Sequence, residues 1–174
     1  MIKVSKTNLE GVLLIKPEVF KDFRGQFIET YNEKLYRKEG IDIKFIQDDI
    51  VLSTKNVLRG IHGDNRTWKL LSCLDGKIYF VVVNCDKESE NFGKWQSFIL
   101  SDINRLQVLV PPKHGNAYLV LSDLVIFNYK QSTYYQGMEK QFTYKYNDPR
   151  FKIRWPIKNP IVSRRDEPGQ HVSN

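Results

Sequence analysis

Cysteine is scarce in this 174-residue chain: only two are present. Cys73 and Cys85 both lie in apolar, strand-like segments, too few and too scattered for a disulfide framework or a thiolate zinc cluster. Both read as reduced and structural. Histidine is almost as rare, with three. His62 has no HxH partner, and His114 and His171 form no ligand cluster with it, so a histidine-bound metal of the kind many β-barrel enzymes hold is not expected. No apolar run approaches the length of a membrane span, and Met1 to Asn8 contain no signal-peptide core. The expected compartment is therefore the cytoplasm, with no membrane partner. There is no Gly-rich dinucleotide fingerprint. There is also no Lys/Arg-rich block beyond Arg164-Arg165 and no recognisable nucleic-acid motif.

The composition that remains is globular. Hydrophobic residues make up 41% of the chain, enough for one domain spanning 1–174 with a sizeable core. The net charge of +7 is dispersed along the sequence. Such a balance suits an anionic partner, and a phosphorylated small molecule needs only a few of these cations at one pocket.

From residue 57 onward the pattern is β throughout. Strand-like segments fall at 57–62, 68–74, 77–84, 95–100, 106–110, 116–121 and 124–130. Turn signals at Asp75-Gly76, Phe92-Gly93, Pro111-Pro112 and Ser122-Asp123 separate them. Asp75-Gly76 is the strongest hairpin signal in the chain. Upstream, 9–20 reads as a buried strand ending at Pro17. The alternation of Gln26 to Tyr31 predicts a strand with Phe27 facing the core. Asn32 caps a helix over 33–38 that Gly40 stops, and Phe45 to Ser53 reads as a strand with a polar middle. Short antiparallel strands at this spacing predict an all-β sandwich or barrel with few short helices. Residues 131–166 are expected to wrap back over the barrel, and 167–174 to be loose.

The stretch Val57-Leu58-Arg59-Gly60-Ile61-His62-Gly63-Asp64 is the chemical focus. Strand alternation places His62 on the side of Leu58 and Gly60, and Arg59 and Ile61 on the other. A glycine beside a histidine that titrates near neutral pH leaves room for a substrate against a base. The ordinary alternative is a strand-end histidine satisfied by backbone.

Further motifs occur in order along the chain: Asp22-Phe23-Arg24-Gly25, Gln47-Asp48, Lys69-Leu70, Phe92-Gly93-Lys94-Trp95, Leu121-Ser122-Asp123, Tyr129-Lys130, Asn147-Asp148-Pro149, Trp155-Pro156 and Ser163-Arg164-Arg165-Asp166. With the His62 stretch, this ordered set resembles the dTDP-4-dehydrorhamnose 3,5-epimerase family from about residue 10 to residue 166. The resemblance implies a cupin-type antiparallel β jelly roll and a homodimer. It implies epimerisation beside the 4-keto group of a nucleotide-diphosphate sugar, with no cofactor. Motif by motif, it implies His62 as general base, Asp166 as the carboxylate that orients it, Tyr129 as the acid on the opposite face and Lys69 as the cation near O4. Arg24, Glu29, Gln47 and Arg59 match positions that hold the nucleotide and diphosphate.

Two departures from the family pattern bear on substrate. Asn116 stands where most of the family has a second histidine, and His62-Gly63-Asp64 replaces a His-Phe-Gln-like start. Both resemble a subgroup acting on GDP-linked 4-keto-6-deoxyheptoses, which implies substrate contacts for Asp64 and Asn116. A dTDP-hexose, a 3-only or 5-only epimerase, a 3,4-ketoisomerase and a non-catalytic sugar-binding cupin stay open as alternatives.

Overall fold

The computed structural model describes residues 1–167, and most of the expected loose segment at 167–174 lies outside them. The strands are β1 (Ile2–Lys6), β2 (Leu13–Pro17), β3 (Val19–Asp22), β4 (Gly25–Ile28), β5 (Gln47–Thr54), β6 (Leu58–Gly63), β7 (Lys69–Asp75), β8 (Lys77–Asn84), β9 (Trp95–Ser101), β10 (Gln107–Val110), β11 (His114–Val120), β12 (Leu124–Gln131) and β13 (Phe142–Thr143). One helix, α1 (Glu33–Lys38), follows β4. The Asn32 side chain caps it by accepting the Leu35 N–H at 3.2 Å, and the chain leaves it through Gly40 at φ +84°.

Two antiparallel sheets face each other. One has the order β1-β2-β10-β7-β12-β5 and the other β13-β6-β11-β8-β9. From β5 to β8 and again from β9 to β13 the chain alternates between them, which is the jelly-roll arrangement. This corrects one expectation. Asp75-Gly76 does not close a hairpin, because β7 pairs with β10 and β12 while β8 pairs with β9 and β11. The glycine, at φ +79°, serves a corner where the chain leaves one sheet for the other. Local turn chemistry is the same in both cases; only the strand partners differ.

Alternation sorts the core into layers. Leu71, Cys73, Phe80, Val82, Val108, Val120 and Phe127 meet between the sheets. Their neighbours Leu70 and Leu109 point outward, under α1 with Tyr36 and Ile41. On the far side, Val81, Val83 and Ala117 point outward beneath Phe151, Phe142 and Trp155 of the C-terminal segment. β8 is buried on both faces, so its sequence is a continuous apolar run instead of an alternation. The segment 142–161 is tied to the open edge of β6 by Tyr144–Ile61 backbone bonds in both directions at 3.0 Å. The Leu58 N–H also donates to the Ile161 carbonyl at 2.8 Å.

Strands β3 and β4 form a separate hairpin. Phe27 does not face the core: it is 68% exposed, with Phe20 at 54% and Phe23 at 98%. The alternation does form a strand, although β4 ends at Ile28 and not at Tyr31, and the hairpin has no second layer among the described residues. No helix among the described residues is long and apolar enough to cross a membrane.

Candidate active site

The apolar side chains fill one part of the barrel interior and polar ones the rest. In the six-stranded sheet, Tyr129 lies opposite Leu71 and Gln131 opposite Lys69. In the five-stranded sheet, Asn116 lies opposite His62 and Tyr118 opposite Arg59. All of these except Leu71 are polar, and together they line a cavity of about 530 Å³ with Val51, Phe127, Tyr135, Gln141 and the turn Ser163 to Asp166.

A β-bulge brings Arg59 and His62 onto one face. Two steps along β11, from Asn116 to Tyr118, answer three along β6, from His62 to Arg59. Simple alternation predicts opposite faces for these two residues, and the extra residue cancels it. Ile61 is turned outward and fully buried against the Phe151 layer. Gly60 adopts φ +116°, and a Cβ there would stand 2.5 Å from the Asn116 carbonyl oxygen. The missing side chain therefore admits the neighbouring strand, not a substrate. The opening beside His62 comes from the cavity.

His62 and Asp166 are 104 positions apart in sequence, and Nε2 and Oδ1 are 2.6 Å apart. The 3-10 turn Arg164–Asp166 delivers the carboxylate, which is 1% exposed, and the Ser163 hydroxyl donates to its other oxygen at 3.0 Å. Burial pushes the Asp166 carboxyl up, but the bond and charge of His62, the Ser163 hydroxyl and the Gly60 backbone outweigh it. The net position is below the usual carboxylate range, so Asp166 is an anion. It accepts the Nε2–H, leaving Nδ1 with a lone pair. Burial lowers the imidazole value; Asp166 opposes this, while Arg165 and Lys69 add to it. His62 is thus neutral at pH 7, as a general base must be.

Lys69 lines the same cavity, 7% exposed, with no ion pair among the described residues. Burial lowers its ammonium, Asp64 opposing and Arg165 adding. Tyr129 is half-buried on β12; burial first, then Asp49, Tyr118 and Tyr135, raise its phenol. It holds its proton at neutral pH and can give it up. Arg165, which sequence reasoning passed over, is held by the Thr143 hydroxyl at 2.6 Å from Nη2 and by Gln141. Its position one residue before Asp166 in a quoted motif was the available signal.

Of the residues expected at the site, His62, Asp166, Lys69, Tyr129, Arg59 and Asn116 come together. The other four do not line this cavity. Arg24 is an exposed hairpin-tip residue paired with Asp22 at 2.6 Å. Glu29, between β4 and α1, accepts from the Asn32 amide at 3.2 Å. Gln47 sits behind the rim, accepting the Tyr135 N–H at 2.7 Å. Asp64 is a turn residue: its Oδ1 accepts the Arg66 and Thr67 N–H groups at 2.9 and 2.7 Å, and it lines an adjoining depression. No group of three His, Cys, Asp or Glu side chains among the described residues could hold a metal.

Residues 6–174 match the family model described as dTDP-4-dehydrorhamnose 3,5-epimerase. The enzyme of that name from Escherichia coli K12 is 37% identical, with 95% of this chain and 92% of the relative covered. The one from Methanothermobacter thermautotrophicus is 36% identical, with 92% and 89% covered. Among solved structures, dTDP-6-deoxy-D-glucose-3,5-epimerase of Legionella pneumophila, crystallised with dTDP-4-keto-L-rhamnose, superposes with a TM-score of 0.90. That pair is 34% identical, with 95% of this chain and 90% of the other covered.

Proposed function

The chain belongs to the dTDP-4-dehydrorhamnose 3,5-epimerase family and is a nucleotide-sugar epimerase, and on that premise we propose that its substrate is a dTDP-linked 4-keto-6-deoxyhexose inverted at C3 and C5. The observation that carries this reading is the His62–Asp166 pair at 2.6 Å, facing a cavity that also holds Lys69 and Tyr129. Both C3 and C5 are α to the C4 carbonyl, so removing either proton gives an enolate with its charge on O4. Nδ1 of His62 takes the proton from one face. Asp166 stabilises the imidazolium that forms. Lys69, a desolvated cation, stabilises O4; a preorganised group of this kind is often worth about 10²–10³ in rate. Tyr129 returns a proton from the opposite face, which inverts the centre. No cofactor has a part in these steps. The diphosphate, remote from the reacting carbons, meets Arg59, and its binding energy positions the ring against His62 and Tyr129.

Arg24 and Glu29 acquire a role in a homodimer. The exposed Phe20, Phe23 and Phe27 are an apolar surface of the kind that marks an interface. An arm docked through them would carry Arg24 to the partner's cavity.

A second reading, a GDP-linked 4-keto-6-deoxyheptose, has one observation in its favour. Asn116 Oδ1 is buried with no partner among the described residues, and the additional hydroxyl of a heptose would satisfy it. The other support for that reading, Asp64, is spent on its own turn, and the relatives are named for dTDP sugars.

The test is incubation with dTDP- and GDP-linked 4-keto-6-deoxy sugars in deuterated water, reading label and configuration at C3 and C5. Label with inversion at both carbons of the dTDP sugar is expected. Tyr129→Phe should admit deuterium with retention while inversion fails. Carbonyl migration, or binding without exchange, would overturn the epimerase mechanism. Turnover of the GDP-heptose alone would exchange the first substrate for the second.

A further inference from the structure

One hydroxyl in the cavity wall has no part in the chemistry above. Tyr118 follows Asn116 by two residues on β11, so both face inward. Its ring is 3% exposed and packs on Phe127 with centroids 4.4 Å apart. A phenylalanine would fill that space equally well. What the tyrosine adds is an oxygen in a buried place, and a buried hydroxyl destabilises a protein unless it is bonded.

That oxygen lies 3.3 Å from Ser53 Oγ, and Ser53 Oγ accepts the Arg59 Nε–H at 3.0 Å. The three side chains come from β11, β5 and β6, so the hydrogen bonds run from one sheet to the other across the barrel interior. Arginine has donors only. With Nε spent on Ser53, the two terminal nitrogens of Arg59 make no hydrogen bond to another described residue while the side chain lines the cavity. A guanidinium pinned along one edge and open along the other suits two-point binding of an anion.

We propose that Tyr118 and Ser53 are a positioning pair for Arg59, fixing the free edge of its guanidinium toward the diphosphate of the substrate. Ser53 holds the guanidinium directly. Tyr118 holds Ser53, because a serine hydroxyl rotates freely and a second partner selects one orientation. The assignment rests on the nucleotide-sugar reading, and the test separates the two.

Thymidine diphosphate and guanosine diphosphate are titrated calorimetrically into the full chain, its Tyr118→Phe, Ser53→Ala and double variants, and the same Tyr118→Phe change in an Arg59→Gln background. Tyr118→Phe should weaken diphosphate binding by about fivefold and Ser53→Ala by about tenfold, the size of one hydrogen bond to a charged group. The double variant should lose no more than the serine variant, since residues in one network do not add. KM should rise with these losses while kcat falls less than about twofold. In the Arg59→Gln background, Tyr118→Phe should cost nothing further. A purely packing tyrosine would cost the same in both backgrounds, and that result overturns the proposal, as does wild-type affinity in Tyr118→Phe. If the unaltered chain binds neither diphosphate, the nucleotide reading falls with it. If it binds and Tyr118→Phe is indifferent, only the positioning pair falls.

Discussion

The barrel cavity and the β3–β4 hairpin carry residues expected at one site, and the fold treats them in opposite ways. Inside the barrel, key polar side chains are held by partners from other elements. His62 meets Asp166 and faces Asn116; Arg59 meets Ser53; Arg165 meets Thr143 and Gln141. On the hairpin, three phenylalanines lie exposed, and Arg24 pairs with its neighbour Asp22 and lies over the adjacent Phe23 ring. An exposed ion pair of this kind contributes little to stability, so the hairpin rests on its own ladder and on the cross-strand Phe20–Phe27 ring pair, 6.4 Å between centroids. The contrast separates two tasks. The proposed proton-transfer groups come together within one chain, whereas the hairpin residue proposed to bind nucleotide, Arg24, does not line the cavity.

The largest expected effect falls inside the barrel. His62→Asn should cut solvent exchange at C3 and C5 by more than about 10⁴-fold, at or beyond the upper range for a general base. No other described neutral base lines the cavity. Near wild-type deuterium wash-in at C3 would remove His62 from the mechanism.

Asp166→Asn comes next, with a loss of about 10²-fold, since the imidazole keeps a neighbour but loses its anion and its preferred tautomer. The pH profile sharpens this. Burial lowers the His62 value, so the base stays free below the ordinary histidine range of about 6.5. Activity should be lost only as pH falls through that lowered value. Asp166 favours the imidazolium, so removing it should move the acid limb of kcat/KM lower still while the plateau drops. A limb that moves upward would contradict the assigned pairing.

A mixing experiment can break the comparison outright. Arg24→Ala should raise KM by about tenfold, as loss of a charged binding contact does. Co-refolding it with His62→Asn should recover about a quarter of wild-type sites if each cavity borrows the partner's arm, because half of random dimers then hold one intact site. A sum of the two parent activities, with no recovery, would show that each cavity is self-contained.

The smallest effect is expected at Asp64. Because its carboxylate caps a turn outside the cavity, Asp64→Asn should change kcat/KM for either nucleotide sugar by less than about twofold, with an amide oxygen still able to accept. A selective loss with the GDP sugar would restore Asp64 to the site.

The four groups that do the proposed chemistry were legible in sequence, but for two different reasons. His62 stands out in its own stretch, a histidine at a strand end with Gly60 and Gly63 close by. Asp166, Lys69 and Tyr129 emerge only through motif resemblance. No local pattern at His62 or Asp166 predicts that a turn 104 positions away supplies the carboxylate. Tyr118 could have been found from Asn116 by alternation, had the strand been read inward from that residue.

What the sequence determined by itself was local: strand positions, the capped helix, the scarcity of metal ligands and the charge suited to an anionic ligand. These follow from backbone sterics and side-chain periodicity, which act over a few residues. Only the tertiary structure decided the rest. The bulge that puts Arg59 and His62 on one face exists because β11 presses on Gly60. Asp75-Gly76 is a corner because β7 and β8 take different partners. Phe27 is exposed because no second layer among the described residues covers its hairpin, and Asp64 leaves the cavity because its own turn claims its oxygen. Each depends on what stands across from a residue, and contacts between positions far apart in sequence leave no local pattern.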